Sequence, residues 1–382
     1  MPGPLSGIRV LELPAIGPVP FLGMLLADLG AQVTRIDKVE AERDPLAMLV
    51  GAGGPLGRGR RSIAVELRQP AGAALALDLI AGMDILIEGF RPGVAERLGI
   101  GPEQALARNP RLVYGRMTGW GQDGPLAARA GHDITYLAVS GLLHGIGPAA
   151  GPPTPPANYL GDFGGGAMSL AVGVLAAVLS ARSTGSGQVV DAAMLDGAAY
   201  LATMVRTLHG HGYWRDQREA NIFDGGSAHY RCYECADGRY VAVGALEPKF
   251  FAVLLDTLEL DPASTPSLAD PARSAELCDL LAAAFASRTR DEWAELFSPL
   301  DGCVAPVLSL AEAPGHPHNR ARQSYVEVAG VQVAAPTPRF GGTPTEVAAA
   351  PATIGAHTDE VLADLGYSAK RRAELRSAGI IG

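Results

Sequence analysis

The sequence predicts an α/β fold: a large, doubly wound parallel-sheet domain of Rossmann-like type, joined to a small α+β domain. Two observations carry this. Over the first 120 residues, short apolar runs alternate with helical patterns, the spacing of βαβ units. After about residue 215 the character changes to a hairpin followed by helices.

The elements follow in order. Ile8–Leu13 reads as a strand, and Pro18–Leu29 as a helix closed by Gly30 just after its C-cap. Gln32–Ile36 and Ser62–Leu67 are the next strands. A helix then starts at Pro70, where proline suits the first turn. Asp84–Glu88 and Leu112–Gly115 complete the series. Gly145–Pro156 is too rich in Pro and Gly for either regular form and delivers the chain into Asp162. A long small-residue helix is expected over Phe163–Arg182, stopping at Gly185, and Gln188–Asp196 returns a strand that leads into another helix.

Tyr230–Cys235 and Arg239–Ala245 flank Asp237-Gly238, the strongest short-range hairpin signal. Helices follow near Pro248–Leu258, Ser274–Ser287 and Arg290–Ser298, then a strand over Cys303–Leu310. The tail beyond 320 is turn-rich, with a last helix at His357–Leu365 closed by Gly366. The expected organisation is a large domain from 1–190 and 320–382, linker helices over 191–224, a small domain at 225–312 and a return linker at 313–319.

Composition narrows the function. Lys and Arg number 31 against 40 Asp and Glu, a net charge of −9 that argues against a nucleic-acid partner. Apolar residues make up 48 % and charged residues 19 %, which suits a packed core. Gly (48) and Pro (29) are about a fifth of the chain, which points to turns and close packing. Met1–Gly7 shows no basic stretch running into an apolar one, so no signal peptide is expected. The most membrane-like stretch, Phe163–Leu179, directly follows Asp162 and reads as a buried helix, so no membrane partner is expected. Four cysteines without a secretory signal suggest a reducing cytoplasm.

The chemistry-bearing motifs are few. The turn Leu13–Pro20 lacks G-x-G-x-x-G, and no Walker lysine loop occurs, so a nicotinamide or flavin cofactor bound in the standard way is not expected. Cys232 and Cys235 form a C-x-x-C inside a strand, where residues three apart face opposite sides, so the pair reads as structural. His132 stands just ahead of the apolar helix Leu137–Leu143, where a ring nitrogen can face a cleft. Asp162 opens the long helix. It is either an N-cap or a carboxylate base, with Gly164–Gly166 baring backbone N–H groups to a developing oxyanion. Glu247, ahead of Pro248, either complements a helix dipole or takes part in catalysis.

Together and in this order, these segments resemble the family III coenzyme A transferases, and within them the racemase branch acting on 2-methylacyl-CoA. The resemblance runs nearly end to end. It takes in Pro4–Leu13, Asp28–Ala31, Ile87–Val94, Arg116–Gln122, Ala130–Ile134, Gly161–Gly166, Tyr233–Tyr240 and Gly355–Leu362.

The resemblance implies an interlocked homodimer whose large domain is built from both chain ends. It implies an acyl-CoA thioester substrate and no resident metal or redox cofactor. His132 and Asp162 would exchange the α-proton through an enolate, and Glu247, from the small domain of the other subunit, would support His132. In the transferase branch the residue matching Asp162 is instead a nucleophile. For coenzyme A the family positions nominate Ile16, Lys38 (where arginine is common), Gly89, Phe90, Arg91, Arg97, Gly131, Asp133 and Tyr136. The Gly-rich segment Glu40–Gly59 is longer than the racemase branch leads one to expect.

Overall fold

The computed structural model describes residues 3–40, 53–268 and 270–382. Most of the Glu40–Gly59 segment therefore lies outside the described residues. The chain divides into two compact units. The first comprises the described residues of Met1–Ser140, Ala157–Leu201 and Pro317–Gly382, and the second Gly141–Pro156 and Ala202–His316.

The first unit holds a six-stranded sheet of β1 (Arg9–Glu12), β2 (Gln32–Asp37), β3 (Arg60–Ala64), β4 (Ile85–Glu88), β5 (Val113–Thr118) and β6 (Gln188–Ala193). Its order is β3-β2-β1-β4-β5-β6, and every neighbouring pair is parallel. The strand order reverses between β1 and β4, so the carboxyl ends of β1, β4 and β5 open a crevice at a topological switch point.

Alternation along the strands explains the double winding. On one face Val10, Val33, Ile85, Ile87 and Val113 meet α1 (Pro18–Asp28), through Leu22 and Leu26. On the other, Leu11, Ile36, Ile63, Leu86 and Tyr114 meet α2 (Pro70–Ile80), through Leu75, Leu79 and Ile80. Short helices α3 (Val94–Arg97) and α4 (Pro102–Arg108) follow β4, and α5 (Asp133–Ser140) follows β5. The C-terminal helices close the second face. Val361 and Leu362 of one join Leu375 of another and Ile380 and Ile381 beyond it in that core, and Glu66 N–H donates to the Ile380 carbonyl at 2.9 Å.

The long small-residue helix departs from expectation. It begins as a π-helix over Tyr159–Met168 and turns α-helical only as α6, Ser169–Thr184. Its N-cap is Asn158, so Asp162 lies inside the first turn rather than capping it. The glycines are there for packing. A Cβ on Gly165 would lie 2.6 Å from the Ala198 nitrogen of α7 (Met194–Leu201), and one on Gly166 would lie 3.0 Å from the Met194 side chain. Tyr159–Thr184 is the one stretch among the described residues long and apolar enough to cross a membrane. Its Leu170, Val174 and Val178 face the sheet, as a core helix does.

The second unit carries α8 (Thr203–Gly210) and an antiparallel sheet β7-β8-β9 of Tyr230–Glu234, Tyr240–Gly244 and Val304–Pro306. The hairpin turns at Asp237-Gly238, with Gly238 at φ 71°. Helices α9 (Pro248–Thr257), α10 (Ser274–Phe285) and α11 (Arg290–Phe297) pack Leu254, Leu281, Phe285 and Trp293 against Tyr233 and Val241. The four cysteines are free, with Cys232 exposed and Cys235 buried, as opposite faces require.

Residues 141–156 belong to this unit, not to the large domain that the sequence suggested. Arg218 ties them in by donating to the carbonyls of His144, Pro148 and Gly151.

The tail holds more than expected: α12 (Pro317–Ala321), a hairpin of β10 (Tyr325–Val328) and β11 (Val331–Ala334), α13 (Thr358–Asp364), and α14 (Ala369–Ser377) beyond the helix read as last. The strand expected over Cys303–Leu310 is confined to β9, and the one at Ser62–Leu67 begins two residues earlier, at Arg60.

Candidate active site

The switch point forms a cleft of about 450 Å³ in the first unit. Its floor comes from the turns after β1 (Ile16 to Val19), β4 (Gly89 to Pro92) and β5 (Thr118 to Trp120). Gly131, His132 and Tyr136 approach from the start of α5, and Asn158 and Asp162 from the π-helix. Two distant motifs, A-G-H-D and G-D-F-G-G-G, therefore deliver their His and Asp to one cavity.

Local packing fixes both. Phe163 stacks on Phe21 of α1, with ring centroids 4.7 Å apart, and anchors the π-helix beside the β1–α1 turn. Gly17 in that turn has φ 69°, and a Cβ there would lie 3.6 Å from Asp162 Oδ2. The Asn158 side chain donates to Asp162 Oδ2 at 3.2 Å. The Asp162 backbone N–H donates to Asp133 Oδ1 at 2.7 Å.

Asp162 is half-buried, and burial pushes its carboxyl above the ordinary aspartate range. The Asn158 bond and His132 pull the other way, while the Asp133 charge adds to the rise. A carboxyl held this way keeps its proton to higher pH than an ordinary aspartate does, which suits a group that must give as well as take one. The exposed His132 ring is free to meet a ligand, while its backbone is pinned: Thr135 Oγ1 accepts from its N–H at 3.0 Å and donates to its carbonyl at 2.7 Å.

The expected row of open N–H groups at 162–166 is not what the chain forms. The Asp162 N–H is already committed to Asp133, and a π-helix commits later N–H groups to carbonyls five residues back.

Tyr136 is held edge-on to Trp120, with centroids 4.8 Å apart, in a slot left by two glycines. A Cβ on Gly119 would come within 2.0 Å of its ring and one on Gly131 within 2.5 Å.

The nominated ligand residues divide between two cavities. Ile16, Gly89, Phe90, Arg91, Gly131 and Tyr136 line the cleft with His132 and Asp162. Lys38 lines a second cleft of about 740 Å³, with Glu66, Arg68, Val94 and Leu98. Phe90 lines both. Arg97 is exposed at the end of α3, beside Gly93, where a Cβ would lie 3.1 Å from its guanidinium.

Asp133 lines neither cleft. It is buried and acts on Asp162 from behind. Glu247 is the exposed N-cap residue of α9 in the second unit. The sequence reading missed Asn158, Arg68 and Arg129, a further cleft residue. Asn158 was recoverable, because it precedes Asp162 by four residues, the spacing of helix neighbours. Among the described residues no cluster of three or more His, Cys, Asp and Glu fits a metal ion.

Residues 5–358 match the model of CoA-transferase family III. The chain belongs to that family. This family III protein is 40 % identical over 382 residues to the α-methylacyl-CoA racemase of Mus musculus, covering 99 % of this chain and 97 % of that one. It is 28 % identical over 406 residues to the succinyl-CoA:glutarate CoA-transferase of Homo sapiens, covering 99 % and 90 %. Among solved structures it is similar to a CaiB/BaiF family protein from Brucella suis, with TM-score 0.80 and 26 % identity over 96 % of this chain and 100 % of that one.

Proposed function

We propose that the protein is an isomerase that interconverts (2R)- and (2S)-2-methylacyl-CoA thioesters by 1,1-proton transfer through an enolate. The observation that carries the proposal is His132 and Asp162 in the wall of one cleft, with the Asp162 carboxyl raised above its ordinary range. The similarity to the mouse racemase supports it.

A thioester acidifies the α-hydrogen, and inversion requires removal from one face and return on the other. Two groups of opposite resting protonation do this, each acting as base in one direction and acid in the other. His132 and Asp162 are that pair. The chemistry is proton transfer alone and calls for no metal or redox group. The coenzyme A part lies along the two clefts that share Phe90, with Arg91, Lys38 and Arg97 as its cationic partners.

The protein works as an interlocked homodimer in which Glu247 from one subunit orients His132 of the other. Within one chain, Val172 and Leu179 of α6 and Tyr200 of α7 are 70, 69 and 81 % exposed, a large apolar load for a surface without a partner. Light scattering of the wild type tests this: a mass of two chains is expected, and a monomeric wild type contradicts it.

Incubation with a (2R)-2-methylacyl-CoA in D₂O without an acceptor acid tests the reaction. Loss of the α-proton NMR signal with approach to both epimers is expected. No exchange, together with coenzyme A movement to free carboxylates, favours the second reading: a transferase with Asp162 as nucleophile. The full-length match to a transferase keeps that reading open. An Asp162 adduct trapped by hydroxylamine during turnover would identify it.

A further inference from the structure

Glu88 and Arg116 stand side by side where β4 and β5 pair, at the edge that carries the site. Both are buried: the Glu88 side chain is fully enclosed and that of Arg116 is 8 % exposed. Arg116 Nε donates to Glu88 Oε1 at 2.9 Å. Its terminal nitrogens reach Glu96 on α3, at 2.8 Å to Oε1 and 3.4 Å to Oε2. The other oxygen, Glu88 Oε2, accepts the Phe90 N–H at 2.6 Å.

An enclosed ion pair is a poor way to hold two strands together, because desolvation offsets much of its attraction and an apolar pair of similar size does as well. What these groups hold is the connection beyond the strand. Glu88 grips its start through Phe90, which lines both clefts. Arg116 grips its far end through Glu96, the neighbour of Arg97. Arg91 lies between the two anchors and lines the cleft with His132 and Asp162.

We infer that Glu88 and Arg116 are positioning residues for coenzyme A binding, fixing the Gly89–Arg97 connection so that Phe90 and Arg91 meet the ligand already ordered. The inference rests on the acyl-CoA reading for the identity of the ligand. Order in the free protein removes part of the conformational cost of binding. The titratable groups facing Glu88 are Arg116 and the neutral Tyr114 from β5 and Glu96 from α3. Burial pushes the Glu88 carboxyl up to about 7 against the pull of Arg116, so its grip weakens as pH falls through that value.

Calorimetric titration with coenzyme A, on wild type, Glu88→Gln, Arg116→Lys and Glu96→Gln, tests this alongside thermal melting. Glu88→Gln and Arg116→Lys are expected to weaken coenzyme A binding about 10-fold or more, the scale of a lost charged hydrogen bond. The rate of α-proton exchange at saturating substrate should stay within about twofold. Glu96→Gln, at a half-exposed position, should weaken binding less, because Arg116 keeps Glu88. Wild-type affinity should fall from pH 8 to 6 with a step that Glu88→Gln lacks.

A lowered melting temperature with unchanged affinity in Glu96→Gln, and in whichever of the other two folds, overturns the inference. A wild type that binds no coenzyme A instead overturns the acyl-CoA reading beneath it.

Discussion

Asp133 holds Asp162 from behind, its Oδ1 accepting the Asp162 backbone N–H at 2.7 Å. The approach requires Gly161, where a Cβ would come within 2.4 Å of that same oxygen. Asp133 is buried, and its Oδ2 has no hydrogen-bond partner among the described residues. One carboxylate therefore both positions its neighbour and, through its charge, adds to the burial that keeps the neighbour's carboxyl high.

Asp133→Asn separates these two effects. The amide oxygen still accepts the Asp162 N–H, but the charge is gone, so the Asp162 carboxyl should fall back toward the ordinary range. Its base form then survives to lower pH, and the acidic limb of the pH–rate profile for α-proton exchange should move down. Stability follows by linkage. A raised carboxyl contributes stability that is fully present below its unfolded value and is lost as pH rises through the folded one. The variant should therefore lose less stability than wild type as pH is raised through that window in thermal melts. An unmoved acidic limb would show that the Asp133 charge does not tune Asp162.

His132→Ala and Asp162→Ala should each cut exchange by ~10²–10⁴-fold, the usual yield of a positioned acid–base group. Far-ultraviolet circular dichroism should show both folded, because neither side chain belongs to a core cluster. Glu247→Ala should be impaired less than either, since it would act through His132. Full exchange in His132→Ala would remove His132 from the proton-transfer pair.

Gly119→Ala and Gly131→Ala test whether the Tyr136 ring shapes the ligand cleft. Their methyl groups would enter the volume of the ring, at 2.0 and 2.5 Å from it. Tyr136 has to move, and overpacking of this kind costs about 1–3 kcal/mol. The expected result is a higher KM for acyl-CoA from both variants. Gly145→Ala, whose Cβ meets nothing within 4 Å, serves as the neutral control. Wild-type KM in both variants would place Tyr136 outside the binding surface.

The parts visible in the sequence are those where local pattern and tertiary demand agree. Val10 and Leu11, neighbours on β1, are both apolar because they face opposite cores, as in a doubly covered strand. Asp237-Gly238 carries its turn locally, with Gly238 at φ 71° and its N–H donating to the Cys235 carbonyl at 2.9 Å. The parts that were hidden depend on partners far along the chain. Arg60 lies ahead of the strand expected at Ser62–Leu67, yet it starts β3 and is enclosed with Glu12, 48 residues away. The α14 helix carries Lys370, Arg371, Arg372 and Arg376 and buries only Leu375, so no apolar stripe announces it. His132 and Asp162 stood out because each neighbours glycines before a helix. Glu88 and Arg116 did not, because only the register of β4 on β5 joins them.

The π-helix is hidden for the same reason, and it makes the most stringent prediction. A Cβ on Gly197 would sit 1.8 Å from the Gly165 carbonyl oxygen, and one on Gly165 would sit 2.6 Å from the Ala198 nitrogen. Neither glycine has a positive φ, so contact, not backbone conformation, excludes a side chain. Because backbone meets backbone, no rotamer change can relieve the clash, and the helices must separate. Gly165→Ala and Gly197→Ala should each cost about 1–3 kcal/mol or more and lower the melting temperature by several degrees. Each should also slow exchange, because Asp162 rides on the displaced turn. The two methyl groups would open one and the same gap, so the double variant should be destabilised by less than the sum of the singles. Additive losses would mean that the two glycines serve separate contacts and that the π-turn is not held open by this crossing.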